Sequence, residues 1–567
     1  MPSLLRLAWI PPLLTLAACA TTTAPPPAAT TTASIPASIA GQSAYGLFLA
    51  GQSAIDTGEG TTAAGYFTRA AGAADTVDAT FVESRAFTAA LLAGDVKGAA
   101  AIAPVTDDDL VLQRLAILTV AVDDLAEGKA ARARTLLGQV GEPYAAAAAL
   151  LTPFAAAKAG DGEAAIGLPV IANDPLASYF ANLDQGILFE HFRRYDEAET
   201  AFRALIVHGD PGALASLNLG AFLERRGRWA DAVATYDQAL ARAPGDAALV
   251  TAKARAESRR GAPAMESLDA SAAEALTAVA SILVVRKQNE PGLAYLRLAL
   301  RLDPDRDAAW LLVGDVLTNI GDKDAARVAY LAPKPGQPDF VAARDKLAWS
   351  LQGDDRKDEA LEIARAAVTA QPSDREAATN LADLLRADEH YSESAAILDK
   401  LIAEEGETPD WRLLYMRAVD FQESDRWPEA EKDLDLALKQ RPDEPELLNF
   451  LGYSWIDRGE KLKEALAMVQ KAVDSDPKSG AMTDSLGWGY YRLGDYKTAV
   501  DKLELAVELE AGDPDINNHL GDAYWRVGRR VEARFQWSRV LTLEPDAKLR
   551  AEVEAKLRNG LGPTAGS

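Results

Sequence analysis

A leucine–glycine pair returns at an almost constant interval near the C-terminal end of the chain. Leu451-Gly452, Leu486-Gly487 and Leu520-Gly521 are separated by 35 and then 34 residues. A small residue follows each pair 12 or 13 positions later, namely Ala465, Ala499 and Ala533. A period of this size predicts a row of stacked units rather than one ball-shaped core, because each unit buries its apolar side only against its neighbours.

The spacing inside one unit predicts two helices. With the glycine at position 8 of a 34-residue unit, apolar residues at positions 4, 7 and 11 complete an i, i+3, i+4, i+7 stripe. Positions 20, 24 and 27 form the stripe of a second helix, and Gly494 and Gly528 stand where the first helix ends and a left-handed residue is favoured. Small residues at positions 8 and 20 are expected to let the two backbones approach closely. The predicted packing residues of this kind are Gly186, Gly220, Ala232, Gly314, Ala326, Gly452, Ala465, Gly487, Ala499, Gly521 and Ala533.

One unit resembles a known repeat family almost position for position. Gly220, Trp229, Ala232, Tyr236, Ala239 and Pro244 match the motif of the tetratricopeptide repeat (TPR). This resemblance implies an all-α solenoid of helical hairpins that winds as a right-handed superhelix. Position 8 is then occupied by Gly186, Gly220, Ala280, Gly314, Ala348, Ala382, Ala418, Gly452, Gly487 and Gly521.

The repeat spacing divides the chain into segments. The predicted segments are a signal peptide (1–18), a lipidated cysteine with a low-complexity tether (19–43), degenerate TPR-like helices (44–178), a TPR pair (179–245), a helical insert (246–272), eight TPR units (273–546), and a capping helix with a loose tail (547–567). The Thr/Pro/Ala-rich tether cannot bury a core, so it is expected to be disordered.

The first residues have the pattern of a secretory signal, with one positive charge followed by an apolar run too short to span a bilayer. Leu16-Ala17-Ala18-Cys19 resembles the lipobox of bacterial lipoproteins, which implies cleavage before Cys19 and lipidation of Cys19. The alternative is a general secretory signal that contains a cysteine. Ala20 resembles the residue found in lipoproteins of the outer membrane, so the expected location is the outer membrane, lipid-anchored and facing the periplasm. No later stretch is predicted to span a membrane.

Composition and motifs exclude several classes of function. The 59 basic and 84 acidic residues give a net charge of −25, which would repel a phosphate backbone and argues against nucleic acid as a partner. The four histidines make no HExxH motif and do not lie at metal-ligand spacing from one another or from the single cysteine. No nucleophile elbow, P-loop or dinucleotide fingerprint is present. We therefore expect no enzyme activity, no cofactor and no metal site.

The resemblance places a set of aromatic, amide and charged side chains on the inner wall of the array. Such residues combine rigid apolar area with groups that hold main-chain amides and carboxylates. The alternative for Trp488 and Trp525 is that they wedge between neighbouring units. The predicted partner-binding residues are Tyr415, Asn449, Tyr453, Asp484, Trp488, Tyr491, Arg492, Asn518, Asp522, Trp525 and Arg526.

The plan of lipobox, tether and repeats is similar to that of large bacterial TPR lipoproteins. At least one relative of that kind is an adaptor that brings substrates to a C-terminal processing protease acting on cell-wall hydrolases. The resemblance implies a membrane-anchored periplasmic adaptor whose partners are envelope proteins, a processing protease and cell-wall hydrolases among them. The alternative is a structural scaffold for a pilus, secretion or outer-membrane assembly, since repeats specify a fold and not a partner.

Overall fold

The computed structural model describes residues 43–562 apart from 57–59, 74–78, 105–108, 170, 172–173, 209–212, 245 and 262. Over these residues the chain forms 30 helices and no strand, which confirms the predicted all-α class. The predicted signal peptide, Cys19 and nearly all of the tether lie outside the described residues. The chain divides into two compact units, an N-terminal one (Thr32–Gln371) and a C-terminal one (Pro372–Ser567), and this division falls inside the predicted array 273–546.

The described residues of the N-terminal unit form 19 helices. They are α1 (Ala44–Asp56), α2 (Gly60–Ala73), α3 (Ala79–Ala93), α4 (Val96–Ala101), α5 (Leu110–Ala126), α6 (Ala130–Leu137), α7 (Ala145–Lys158), α8 (Gly162–Ala165), α9 (Pro175–His191), α10 (Tyr195–His208), α11 (Leu214–Arg225), α12 (Trp229–Leu240), α13 (Ala247–Ser258), α14 (Leu268–Val285), α15 (Asn289–Leu302), α16 (Asp307–Asn319), α17 (Lys323–Leu331), α18 (Phe340–Gln352) and α19 (Lys357–Ala370).

The C-terminal unit contains five helical hairpins and a final single helix. Its helices are α20 (Arg375–Ala387), α21 (Tyr391–Glu405), α22 (Trp411–Glu423), α23 (Trp427–Gln440), α24 (Pro445–Arg458), α25 (Leu462–Ser475), α26 (Gly480–Arg492), α27 (Tyr496–Leu509), α28 (Pro514–Arg526), α29 (Arg530–Val540) and α30 (Ala547–Asn559).

Local sequence signals set the helix ends. Ser479 and Asp513 accept hydrogen bonds from the first-turn N–H groups of α26 and α28, so each supplies the acceptor that an exposed helix N-terminus lacks. Gly494 and Gly528 follow the first helix of their hairpins with φ of +84°, which confirms the predicted left-handed residues.

The glycines at position 8 bring the two helices of a hairpin into contact. A Cβ built at Gly220 would lie 2.2 Å from the Tyr236 ring, and one at Gly521 would lie 2.5 Å from Trp537. Similar contacts of 2.2–2.7 Å would arise at Gly186, Gly314, Gly452 and Gly487, against Phe202, Tyr330, Val469 and Leu503. The small residues at position 20 are buried beside them, namely Ala232, Ala326, Ala465, Ala499 and Ala533. At these six glycines position 8 therefore has no room for a side chain.

The hairpin α14–α15 is the interior of the N-terminal unit. It packs against α3, α4, α5, α7 and α9 as well as against its chain neighbour α16. Buried residues occur all round α15, from Gly292 to Leu302, as expected for a helix enclosed on every side. Arg297 Nε donates to the Leu92 carbonyl at 3.0 Å, and Arg301 Nε lies 2.8 Å from Asp123 Oδ1. The unit is thus not a simple open row of repeats, because its N-terminal helices fold back onto a hairpin far along the chain.

Helix α14 has the length and composition of a membrane span, with a mean hydropathy of 1.7. Within the N-terminal unit it packs against α7, α9, α15 and α16. Its buried residues include Ser271, Ala275, Leu276 and Ala280. This is the environment of a core helix.

Candidate protein-binding surface

The first helices of successive C-terminal hairpins place the predicted partner-binding residues side by side. These residues lie on α22, α24, α26 and α28, and α26 contacts both α24 and α28 directly. We call the eleven predicted residues the inner strip. Several of them contact the equivalent turn of the neighbouring hairpin, so the strip is a continuous surface and not a set of separate side chains.

Trp488 is held in an aromatic stack. Its ring lies parallel to that of Tyr491, with centroids 4.5 Å apart and planes 8° apart, and it covers His519 at 4.2 Å and 15°. The indole is partly exposed, yet Nε1 is buried and has no hydrogen-bond partner. An unmet buried donor is costly, so this atom is suited to a carbonyl brought by another molecule.

His519 and Asp484 form a buried pair beneath the stack. Nδ1 of His519 lies 2.9 Å from Asp484 Oδ2, and the two residues are 7% and 0% exposed. Burial lowers the pKa of His519, but the Asp484 carboxylate outweighs that effect and raises the pKa to about 9. The imidazole is therefore protonated at neutral pH.

The part of the surface between α24 and α28 is rich in hydrogen-bond acceptors. Oδ1 of Asn449 and Oδ2 of Asp515 are buried without partners. Burial raises the pKa of Asp515 to about 6, and burial together with the charges of Asp484 and Asp457 raises the pKa of Tyr453 well above its usual range. Asn449 Oδ1 and Asp515 Oδ2 thus lack hydrogen-bond donors among the described residues.

The two arginines of the strip donate hydrogen bonds to residues of the preceding hairpins. Arg492 Nη1 donates to the Asp457 carbonyl at 2.7 Å, and Arg526 Nε donates to Tyr491 Oη at 3.2 Å. At the other end, Tyr415 packs edge-to-face on Phe450 with centroids 5.5 Å apart. Burial raises the pKa of Tyr415 to about 12, so its hydroxyl stays neutral.

The last hairpin differs from the expected open wall, because the chain folds back over it. Lys556 of α30 donates to Asn518 Oδ1 at 2.9 Å and to Asp522 Oδ2 at 2.8 Å. Asp522 also accepts from Trp537 Nε1 at 3.0 Å. These inner-strip residues therefore already have partners within the chain.

The segment after α30 covers the rest of this hairpin. A Cβ at Gly560 would lie 2.1 Å from the ring of Trp525, and Arg526 Nη1 donates to the Gly562 carbonyl at 2.8 Å. Trp525 also lies 5.3 Å from Trp537, centroid to centroid. Both Trp488 and Trp525 contact neighbouring elements and both stay partly exposed.

Three residues of the surface were not among the predicted ones. Asp515 and His519 lie on α28 beside predicted members, and His519 stands 35 residues, one repeat, after its partner Asp484. That spacing is the signal that could have paired them. Lys556 has no such signal, because α30 lies after the last repeat. Among the residues that the structure describes, no group of three or more His, Cys, Asp or Glu side chains could hold a metal ion.

Comparison with known families identifies the repeats. A model of the tetratricopeptide repeat matches residues 183–247, 346–409, 415–480 and 485–547. The chain contains tetratricopeptide repeats. The last two matched segments contain every member of the inner strip except Asp484, so the strip belongs to TPR units.

Two curated proteins are similar to parts of this chain. A TPR repeat-containing protein of Pseudomonas aeruginosa is 34% identical over 113 residues, which cover 20% of this chain and 19% of that protein. The protein O-mannosyl-transferase TMTC1 of Homo sapiens is 27% identical over 203 residues, 36% of this chain and 19% of its own length. The chain therefore spans about a fifth of the length of these curated relatives.

Among solved structures, a tetratricopeptide repeat protein from Parabacteroides merdae is 15% identical, with a TM-score of 0.39. The match covers 44% of this chain and 98% of that one. TPR repeats are interaction scaffolds that bind protein partners, and that general role applies to this chain.

Proposed function

We propose that this protein is a membrane-anchored periplasmic adaptor that binds partner proteins or peptides on the inner strip and recruits substrates to a protease. The lipobox at Leu16 to Cys19 supports a lipid anchor, and Ala20 supports the outer membrane as its location. The TPR units support binding of proteins. The protease and its cell-wall hydrolase substrates rest on the resemblance to TPR lipoproteins.

The observation that carries the proposal is the set of unmet polar groups beside the aromatic stack. Trp488 Nε1 has no acceptor, and Asn449 Oδ1 has no donor. An extended peptide offers both, since each residue carries a carbonyl and an N–H group. The stack supplies apolar area next to these groups, as in other protein interfaces.

The test is partner capture from living cells. The tagged full chain and its Trp488→Ala variant are produced in the source bacterium, cross-linked, purified and analysed by mass spectrometry. We expect wild type to capture soluble envelope proteins, including a protease, and the variant to lose them. Trp488→Phe, which keeps the stack but removes the indole N–H, should lose part of the capture.

Two controls make the result specific. Trp349→Ala removes an exposed tryptophan of the N-terminal unit and should capture the wild-type set. Thermal melts check that the Trp488 variants are folded. A separate test addresses the lipid anchor: Cys19→Ser should move the protein from the membrane fraction to the soluble fraction. Capture of the same proteins by Trp488→Ala and wild type would refute the proposed site.

A scaffold role is the second candidate, and an exposed apolar pair on α29 favours it. Val531 and Phe535 are 81% and 64% exposed and stand at i and i+4, on one face of the helix. A scaffold predicts a stoichiometric membrane complex that is lost with Phe535→Asp and retained with Trp488→Ala. An adaptor predicts that partner capture is lost with Trp488→Ala and retained with Phe535→Asp.

A further inference from the structure

At the cap of the array, the repeat surface holds a lysine of this same chain. Lys556 is only 8% exposed, and its ammonium group lies between Asn518 Oδ1 and Asp522 Oδ2. In the repeat numbering Asn518 is at position 5 and Asp522 at position 9 of its unit. An amide carbonyl and a carboxylate on the first helix of a TPR unit thus hold a lysine from outside that unit.

A similar set of acceptors lies two units earlier, without a lysine. Asn449 stands at position 5 of its unit, as Asn518 does, and its Oδ1 has no partner. Tyr453 occupies position 9 and lies within the electrostatic reach of Asp484, Asp457 and Asp515. Asp515 Oδ2 has no partner either. The acceptor chemistry is present here, but within the part of the chain that the structure describes no basic side chain donates a hydrogen bond to these two oxygens.

The nearby basic groups are already engaged. His519 is paired with Asp484, and Arg492 donates to the Asp457 carbonyl and lies 3.8 Å from its carboxylate. This leaves the Asp515 carboxylate in excess on the strip. The charge of the whole chain, −25, has the same sign and would attract a basic partner over a distance.

We infer that the part of the inner strip between α24 and α28 binds an extended partner segment through a lysine or arginine side chain. The ammonium or guanidinium group contacts Asp515 and the Tyr453 hydroxyl. The main chain of the segment donates an N–H group to Asn449 Oδ1, and one of its carbonyl groups accepts a hydrogen bond from Trp488 Nε1. This inference rests on the proposed function and adds the chemistry of the partner.

The probes are three fluorescein-labelled libraries of degenerate heptapeptides, each with one fixed central residue: lysine, norleucine or glutamate. They are passed over the immobilised full chain, and the retained fraction of each library is measured at pH 7.5. We expect wild type to retain the lysine library about ten times more than the glutamate library, with norleucine between them.

Matched variants locate the contact. Asp515→Asn should lower retention of the lysine library several-fold and leave the norleucine library unchanged. Asp501→Asn removes the same charge from an exposed position on α27 and should behave as wild type. Circular dichroism checks that both variants keep their helices.

The outcomes separate the two proposals. Retention that depends on Trp488 but is equal for lysine, norleucine and glutamate would overturn the inference and leave the proposed site intact. A lysine preference that Asp515→Asn does not reduce would also overturn the inference. If no library is retained, or if Trp488→Ala retains all three as wild type does, the inference and the proposed site both fail.

Discussion

His519 is a charged residue in the interior of the C-terminal unit, and its charge depends on pH. Asp484 is its direct partner, and the carboxylates of Asp515 and Asp522 also favour the protonated form. The pKa of an unfolded histidine is about 6.5, whereas that of His519 in the folded chain is about 9. The pair therefore stabilises the fold fully below pH 6.5, and this contribution is lost as the pH rises through 9.

We predict that the urea midpoint of the wild-type chain falls between pH 7 and pH 10. The rise in the pKa of His519 on folding, from 6.5 to about 9, corresponds to about 3 kcal/mol of unfolding free energy. The measurement is a series of urea titrations followed by circular dichroism. His519→Gln keeps a donor for Asp484 but does not titrate, so its midpoint should change much less over this range. Parallel pH profiles for the two proteins would show that His519 is not the group responsible.

At the scale of single elements, α30 stabilises the last hairpin by a buried charge and not only by apolar contact. Val553 and Leu549 pack on the hairpin core that contains Trp537, while Lys556 contacts Asp522 and Asn518. Removing one member of a buried pair is costly because the other charge stays behind without compensation.

Lys556→Met is therefore expected to lower the free energy of unfolding of the C-terminal unit by about 3 kcal/mol. Urea denaturation of the full chain measures this, with hydrogen exchange assigning the change to α28–α30. Lys548→Met, at an exposed position of the same helix, serves as the control and should change the free energy by less than about 0.5 kcal/mol. Equal midpoints for the two variants would mean that the buried contact adds no stability.

The sequence predicts the hairpins well and their long-range contacts poorly. The 34-residue spacing from Gly487 to Gly521 identifies position 8 of each unit, which packs on the second helix of its own hairpin. Because that contact lies within one unit, the repeat spacing predicts it. The position of α30 over Trp525 has no periodic counterpart. In the same way, 205 residues separate Arg297 from its acceptor Leu92, and no repeat spacing predicts that contact.

At the scale of the molecule, the two compact units differ in what they leave open. In the N-terminal unit the hairpin α14–α15 is surrounded by helices of the same unit, and Leu296 at its centre is fully buried. In the C-terminal unit the stacked rings of Trp488 and Tyr491 stay partly exposed on the first helix of their hairpin. The proposed function therefore places recognition in this second unit.

Leu296→Ala should destabilise the N-terminal unit by about 2–5 kcal/mol, because the cavity adds to the lost apolar contact. Hydrogen exchange measured by mass spectrometry is expected to show faster exchange in α3, α5, α7 and α15. Peptides from α22–α28 should exchange as in wild type, since contacts in stacked repeats are made mainly with neighbours. Uniform acceleration over both units would contradict two separately stable units.

The helix after the last repeat also determines where the row stops. Without it, the terminal hairpin would offer an apolar side of the kind that hairpins use against one another, and a second molecule could dock there head to tail. Such contacts do not close on themselves and so lead to filaments. By placing a lysine and a glycine turn over that side, the chain ends its own stacking and disfavours head-to-tail contact between molecules.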